Sequence, residues 1–453
     1  MPRAPVLPTL LLTSAVLIAG GCSHEAPSGT VITLSGSAVG AEARVLKVQL
    51  ARFMKAHPGI RVEIRETPDA ADQRHQLYVQ WLNAHTKRPD ILQLDVIWTP
   101  EFAAAGWVLP LDRFRPPVDS FFPATIRANT WRGRLYALPW FVDVGMLYWR
   151  TDLLARPPAT LEALARVAPA AAGRAGIPYG FVWQGARYEG LVTVFLEHLG
   201  AFGGRIMDDS GRVTVDSRAG VEALTYMRRA LETPHFVPEA VLTWQEEQTR
   251  FAFQNGQAVL MRNWPYAYPL MEDSTKSVVA GRFAVTAMPA ARGGAPTAAL
   301  GGSQLAINAR SAYPAASYAV IEYLTRPAQM LERARAVGEY PARPALYDDT
   351  ALAAALPAPP ADVRRIIERA MPRPITPVYT QLSQILQIWL HRALTGQAQP
   401  EPALRSAARQ MRALLKRVGL APLTGDTTGA AGPAVGPRSG ADATRTPYGG
   451  PRG

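Results

Sequence analysis

From Glu42 to His57 the apolar positions recur at helical spacing, with Leu46, Leu50, Phe53 and Met54 on one side. That pattern predicts an amphipathic helix laid against a core. Val31 to Leu34 reads as a strand before it, Pro58-Gly59 stops it, and Ile60 to Ile64 alternates as a strand does. Gln73 to Ala84 reads as a second helix, and Pro89-Asp90 leads into a buried strand from Ile91 to Ile97. Further helices are predicted at Leu191 to Leu199, Val221 to Leu231, Gln245 to Asn255, Pro314 to Leu324, Asp362 to Ala370 and Leu382 to Leu394, with a strand at Gln257 to Met261. Helices alternating with strands predict an α/β protein with a largely parallel sheet. There is no internal repeat.

The two ends depart from this pattern. Arg3 gives a positive start, and Leu7 to Ala19 is mostly apolar and uncharged. That run is shorter than the roughly 20 residues a bilayer span needs and reads as the core of a signal peptide. Ile18-Ala19-Gly20-Gly21-Cys22 places small residues before the only cysteine, as a lipoprotein cleavage box does. The reading is a signal peptide over 1–21, lipidation at Cys22 and a polar tether over 22–30; an ordinary secretory signal with an incidental cysteine is the alternative. Acyl chains on Cys22 would hold the protein on a membrane surface. At the other end, 421–453 is rich in Gly, Pro, Ala and Thr and is expected to be disordered.

At 453 residues, 48% apolar and 19% charged, the chain is too long for one core and suits two or three domains. The formal charge of +12 invites a nucleic-acid reading, but only five of the 48 basic residues are lysine and the arginines are scattered. A basic footprint is clustered on one face, so no nucleic-acid partner is expected; an anionic lipid or cell-wall surface suits the charge better. One cysteine excludes a disulfide framework and a cysteine-based zinc ribbon. The seven histidines form no metal spacing, and no GxSxG elbow, Walker loop, GxGxxG after a strand or calcium loop is present. No metal or cofactor is expected.

Aromatics instead sit beside carboxylates, amides and arginine in Leu94-Asp95-Val96-Ile97-Trp98, Trp140-Phe141-Val142-Asp143, Tyr188-Glu189-Gly190 and Arg262-Asn263-Trp264-Pro265-Tyr266. A pyranose has an apolar face that packs on a flat ring, and its hydroxyls donate to carboxylates and accept from arginine or amides. Each segment alone is equally compatible with core or turn roles.

In combination these segments resemble the bacterial extracellular solute-binding proteins of carbohydrate ABC importers, most closely the trehalose/maltose-binding branch. The likeness runs from about Val31 to Leu420. It is carried by Arg88-Pro89-Asp90 through Trp98, Ala105-Gly106-Trp107-Val108-Leu109-Pro110-Leu111, Tyr136-Ala137-Leu138-Pro139 and Gly145 to Leu153. Further matches are Trp183 to Gly190, Phe253 to Ala258, Arg262 to Tyr266, Gly301 to Ile307 and Arg373-Pro374-Ile375-Thr376-Pro377.

The resemblance implies a periplasmic-binding-protein-like α/β fold of two lobes joined by hinge strands, with sugar in the cleft between them. The first lobe would comprise 31–142 and about 303–350, the second 143–302 and about 351–420. It implies a monomer that closes around ligand and hands a di- or oligosaccharide to permease subunits on the outer side of the cell membrane, with no catalysis. Carried over residue by residue, the ligand-binding set is Glu42, Arg74, Asp95, Phe141, Asp143, Trp264, Gly302, Ser303 and Arg373. Phe141 stands where tyrosine is frequent, and Ser303 where a second tryptophan is usual. Losing that ring implies a wider or wetter subsite and a changed, weaker or longer ligand, with Gln304 offering a hydrogen bond. Tyr188 and Glu189 are expected to support the second lobe. Two other readings stay open: a hydrolase using Asp95 and Asp143, which would have to flank a glycosidic bond, and a surface lipoprotein that senses rather than transports.

Overall fold

The computed structural model describes residues 29–37, 40–68 and 71–421. The expected signal peptide, Cys22, nearly all of the tether and the tail beyond Ala421 lie outside the described residues. In chain order the strands are β1 (Thr30–Ser37), β2 (Ile60–Thr67), β3 (Ile91–Asp95), β4 (Thr130–Trp131), β5 (Arg134–Leu135) and β6 (Ala137–Val144). They continue with β7 (Met146–Arg150), β8 (Tyr179–Val182), β9 (Ala258–Asn263), β10 (Phe283–Ala287), β11 (Leu300–Ile307) and β12 (Tyr340–Pro341). One sheet has the order β12-β6-β11-β3-β1-β2, a second has β10-β7-β9-β8, and β4 pairs with β5 alone.

The expectation of a largely parallel sheet is corrected. Only β1–β2, β1–β3 and β8–β9 are parallel; β11 runs antiparallel to both β3 and β6, and β7 to both β9 and β10. The cause is the chain path. β6 leaves the six-stranded sheet and β11 returns into it beside β6, so an outgoing strand neighbours an incoming one. The strand expected over Ile91 to Ile97 also ends early, at Asp95. There the Asp95 side chain accepts from Ile97 N (3.2 Å) and its carbonyl from Trp98 N (3.0 Å), which turns the chain.

The helical expectations hold with ends displaced by a few residues, as at Gly40–Ala56, whose Leu46, Leu50 and Phe53 are buried. Helix Glu189–Ala201 is buried at every position, as its all-round apolar character requires. It packs with Arg218–Glu232 and Tyr379–Leu394, and the latter with Pro400–Arg417. Helix Leu161–Ala175 carries Pro169 in its interior and has no counterpart in the sequence reading.

A single residue, Gly145, separates β6 from β7 and so one sheet from the other. A Cβ there would lie 1.8 Å from Glu197 Oε1 and 2.5 Å from Arg262 Nη2. The return crossing is clamped by Leu300 N to Met371 O (2.9 Å) and Met371 N to Ala298 O (2.7 Å). Among the described residues no helix is long and apolar enough to cross a membrane, and no cluster of His, Cys, Asp or Glu is arranged to hold a metal ion.

Candidate functional site

The register of three strands gathers most of the expected ligand residues. Ser303 on β11 sits opposite Asp95 on β3 and opposite Phe141 on β6, while Gly302 faces Val142 and Gly301 faces Asp143. The cluster therefore lies at the carboxyl end of β3, where α/β folds commonly place ligands. Gly302 has φ +113°, and a Cβ on it would lie 2.3 Å from Phe141 O, so only glycine fits beside β6. The Ser303 hydroxyl is buried and accepts from Gln93 Nε2 (2.9 Å). Phe141 is also buried, its ring 5.6 Å from that of Trp140.

Arg373 ties this cluster to the helices of the second sheet. Its Nη2 donates to Asp95 Oδ1 and to Leu300 O, each at 3.3 Å, and its Nη1 donates to Glu189 Oε1 at 2.8 Å. Glu189 also accepts from Tyr379 (2.8 Å) and from Ser383. Burial alone would lower the Arg373 pKa, but the carboxylates of Asp95 and Glu189 raise it, so the cation is fixed. Burial pushes the Glu189 carboxyl up, with Arg373 and the hydroxyls pulling it back. The Arg373 and Glu189 side chains are 4% and 9% exposed whereas Asp95 is 21% exposed, so Asp95 is the member of this chain open to a ligand.

Trp264 follows β9 and is partly exposed. The Arg262 guanidinium lies 3.9 Å from its ring centroid, and Trp264 Nε1 donates to Glu246 Oε1 (3.3 Å). Arg262 is itself held by Glu197 (Nε to Oε2, 2.9 Å) and Gln184 (Nη1 to Oε1, 3.1 Å), in a pair with no solvent access to Arg262. The indole is thus braced on one face and at its edge. A Cβ at Gly301 would lie 3.2 Å from Asp143 Cβ and 3.3 Å from Trp264 Cζ3, so glycine at 301 lets the carboxylate and the ring converge. Burial, with the nearby charges of Glu339 and Asp95, pushes the Asp143 carboxyl up to about 8. At neutral pH it is largely protonated and can donate as well as accept.

Other expected residues fall at the margin. Glu42 is in the first turn of Gly40–Ala56. Arg74 is buried on helix Ala71–Asn83, donating from Nη1 to Pro68 O (3.0 Å) and lying 5.4 Å from the Trp98 ring. Asp72 on the same helix has its carboxyl raised by burial and by the charge of Asp95. Gln304, on the opposite face of β11 from Ser303 by strand alternation, is fully buried and accepts from Asn129 Nδ2 (2.6 Å). Glu246 and Glu197 were not read from the sequence. The only signal at Glu246 is the capping box of Gln245 and Gln248, which marks a helix start and says nothing of Trp264.

Residues 38–331 match the family described as bacterial extracellular solute-binding protein. A probable ABC transporter-binding protein of Deinococcus radiodurans is 36% identical over 368 residues, covering 78% of this chain and 86% of that protein. The maltose-bound structure of T. maritima MalE3 is similar at 40% identity and a TM-score of 0.81, covering 85% of this chain and 100% of that chain. The GacH receptor of Streptomyces glaucescens shares the fold at 22% identity and a TM-score of 0.77, over 86% of this chain and 99% of that chain. The α/β, periplasmic-binding-protein-like fold that the resemblance implied is the one these structures have. Membership also sets aside the hydrolase reading of Asp95 and Asp143. The chain belongs to the bacterial extracellular solute-binding proteins, and it binds its solute without transforming it.

Proposed function

We propose that the chain is a lipid-anchored receptor that delivers a trehalose- or maltose-type di- or oligosaccharide to an ABC importer. The observation that carries this reading is the braced Trp264 ring with Asp143 beside it and the partly exposed Asp95 side chain across the strands. A pyranose face stacks on such a ring while its hydroxyls meet the two carboxyl groups. MalE3, at 40% identity, is described with maltose bound, which supports the same class.

In this reading Glu42, Arg74, Asp95, Phe141, Asp143, Trp264, Gly302, Ser303 and Arg373 surround the ligand, and Ser303 leaves the subsite wider than a tryptophan would. The lobes are 31–142 with about 303–350, and 143–302 with about 351–420. The protein works as a monomer, anchored through lipid on Cys22 and read by permease subunits. Calorimetric titration with trehalose, maltose, maltodextrins and sucrose tests it. Saturable binding of a glucose disaccharide or oligosaccharide without turnover is expected; silence across the panel refutes it. Labelling of Cys22 with a fatty-acid probe tests the anchor.

A further inference from the structure

Helix Pro400–Arg417 buries Leu404, Met411, Leu414 and Leu415 against helices Tyr379–Leu394 and Arg218–Glu232. Its outer face is basic. Arg405, Arg409, Arg412 and Lys416 follow one another at steps of four, three and four residues. On a helix that spacing makes one straight file, about 16 Å long. All four are exposed, as is Arg417 beside them. Bases that look dispersed along the sequence are thus aligned by the helical period. Arg405 is paired with Glu401 (2.6 Å) and Arg412 with Asp216 (2.7 Å). Arg409 donates from Nη2 to Ser406 Oγ (3.0 Å). Among the described residues, Arg409, Lys416 and Arg417 have no carboxylate at ion-pair distance. Val418, 42% exposed, adds an apolar side chain next to Arg417.

Cations in the last turn offset the helix dipole, which accounts for Lys416 and Arg417. That effect fades within one turn, so it does not account for Arg405 and Arg409. Solubility is served by charges of both signs, whereas this helix carries five bases and a single acid, Glu401. A straight file of cations meets a flat anionic surface at every position at once. Membership of an extracellular family puts a lipid surface within reach of the helix and leaves nucleic acid out of it. We propose that the outer face of Pro400–Arg417 docks on an anionic phospholipid surface. The file supplies the attraction, and Val418 enters the interfacial layer. The contact is separate from the acyl chains proposed on Cys22 and from the sugar site. It fixes which side of the protein is turned to the bilayer, which a tether at one end leaves free.

The test is co-sedimentation with vesicles, using the chain from Ser23 onward, which keeps every described residue and cannot be acylated. Vesicles of equal parts phosphatidylcholine and phosphatidylglycerol are compared with phosphatidylcholine alone. The protein is expected to bind the anionic vesicles only, and to be released as salt shortens the Debye length. One basic side chain near an anionic membrane raises the partition about fivefold, so three multiply to about a hundredfold. The triple variant Arg409→Gln, Lys416→Gln, Arg417→Gln is therefore expected to bind at least about thirtyfold more weakly. Arg166→Gln, Arg310→Gln, Arg335→Gln removes the same charge from exposed positions elsewhere and should cost less than about threefold. Circular dichroism checks that both variants are folded, and the salt dependence of the wild type stands without either. No wild-type binding to the anionic vesicles overturns the proposal, as does an equal loss in the two triples, which would reduce the effect to net charge. Release of the protein by duplex DNA at equal phosphate concentration overturns it in favour of a nucleic-acid partner.

Discussion

Replacing Gly145 by alanine puts the crossing between the sheets to a direct test. The added Cβ would sit 1.8 Å from Glu197 Oε1 and 2.5 Å from Arg262 Nη2. Ordinary carbon contacts begin near about 3.5 Å, so the carboxylate must retreat by about 1.5 Å or more. The bonds at stake are Arg262 Nε to Glu197 Oε2 (2.9 Å) and Ala299 N to Glu197 Oε1 (3.3 Å), both buried. A retreat of that size takes them out of hydrogen-bond range. Disrupting a buried, hydrogen-bonded ion pair costs about 3–5 kcal/mol, and partial relaxation moves the expectation to the lower end, about 3 kcal/mol. Urea unfolding followed by tryptophan fluorescence and by circular dichroism measures it, with agreement of the two probes checking two-state behaviour. Ligand affinity should fall too, because Arg262 lies under the Trp264 ring. Gly173→Ala is the matched control: it lies in helix Leu161–Ala175 with nothing within 4 Å of its Cβ position. It should gain about 0.5–1 kcal/mol. If Gly145→Ala keeps parental stability to within about 0.5 kcal/mol, the argument that this pair is held rigidly against the crossing is wrong.

Three further outcomes follow from the same geometry. The Asp143 carboxyl holds its proton up to about 8 in the folded chain against 3.8 ordinarily, so between those values the native state binds more protons than the unfolded one. This group's contribution is fully present at low pH and is lost as pH rises through that window; Asp143→Asn should flatten the decline in denaturation midpoint between pH 5 and 8, and an unchanged slope refutes the assignment. Arg373→Met should lower stability by about 3 kcal/mol or more because Glu189 is left buried without its cation. Asp95→Asn should instead lower sugar affinity at least tenfold with about 1 kcal/mol or less of stability change, since Asp95 is the more exposed partner; equal effects of both variants on both readouts would contradict the division of labour. Gly302→Ala, at φ +113° and 2.3 Å from Phe141 O, should destabilise by more than about 2 kcal/mol, read as a lower unfolding midpoint; a neutral result would show that β11 can move away from β6.

The local pattern was enough for the helices it predicted and for strands β1, β2, β3 and β9, since burial of Leu46, Leu50 and Phe53 is a matter of period alone. Sheet direction was not, because strand β11 takes its sense from a return path across the molecule, which no window of neighbouring residues records. Asp95 and Trp264 were readable as a polar residue ending a strand and a ring beside polar groups. The groups that hold their neighbours were not: Glu189 meets Arg373 across 184 positions and Glu197 meets Arg262 across 65. The Asn129 partner of Gln304, 175 positions away, was out of reach in the same way. The bond from Gln93 to the Ser303 hydroxyl is visible only once β3 and β11 are paired.

The one-residue passage from β6 to β7 has a mechanical meaning. A residue contributes two soft dihedrals, and at Gly145 the neighbours on both sides are already locked into ladders with β11 and β9. Relative movement of the sheets at this point therefore has very few degrees of freedom. It resembles a door on its pin rather than a ball in a socket. If the sheets close on a ligand, a body so constrained would return to one closed arrangement, and little orientational entropy would be lost in enclosing it. Selectivity can then be written in the shape of the walls, with little dependence on their ability to adapt.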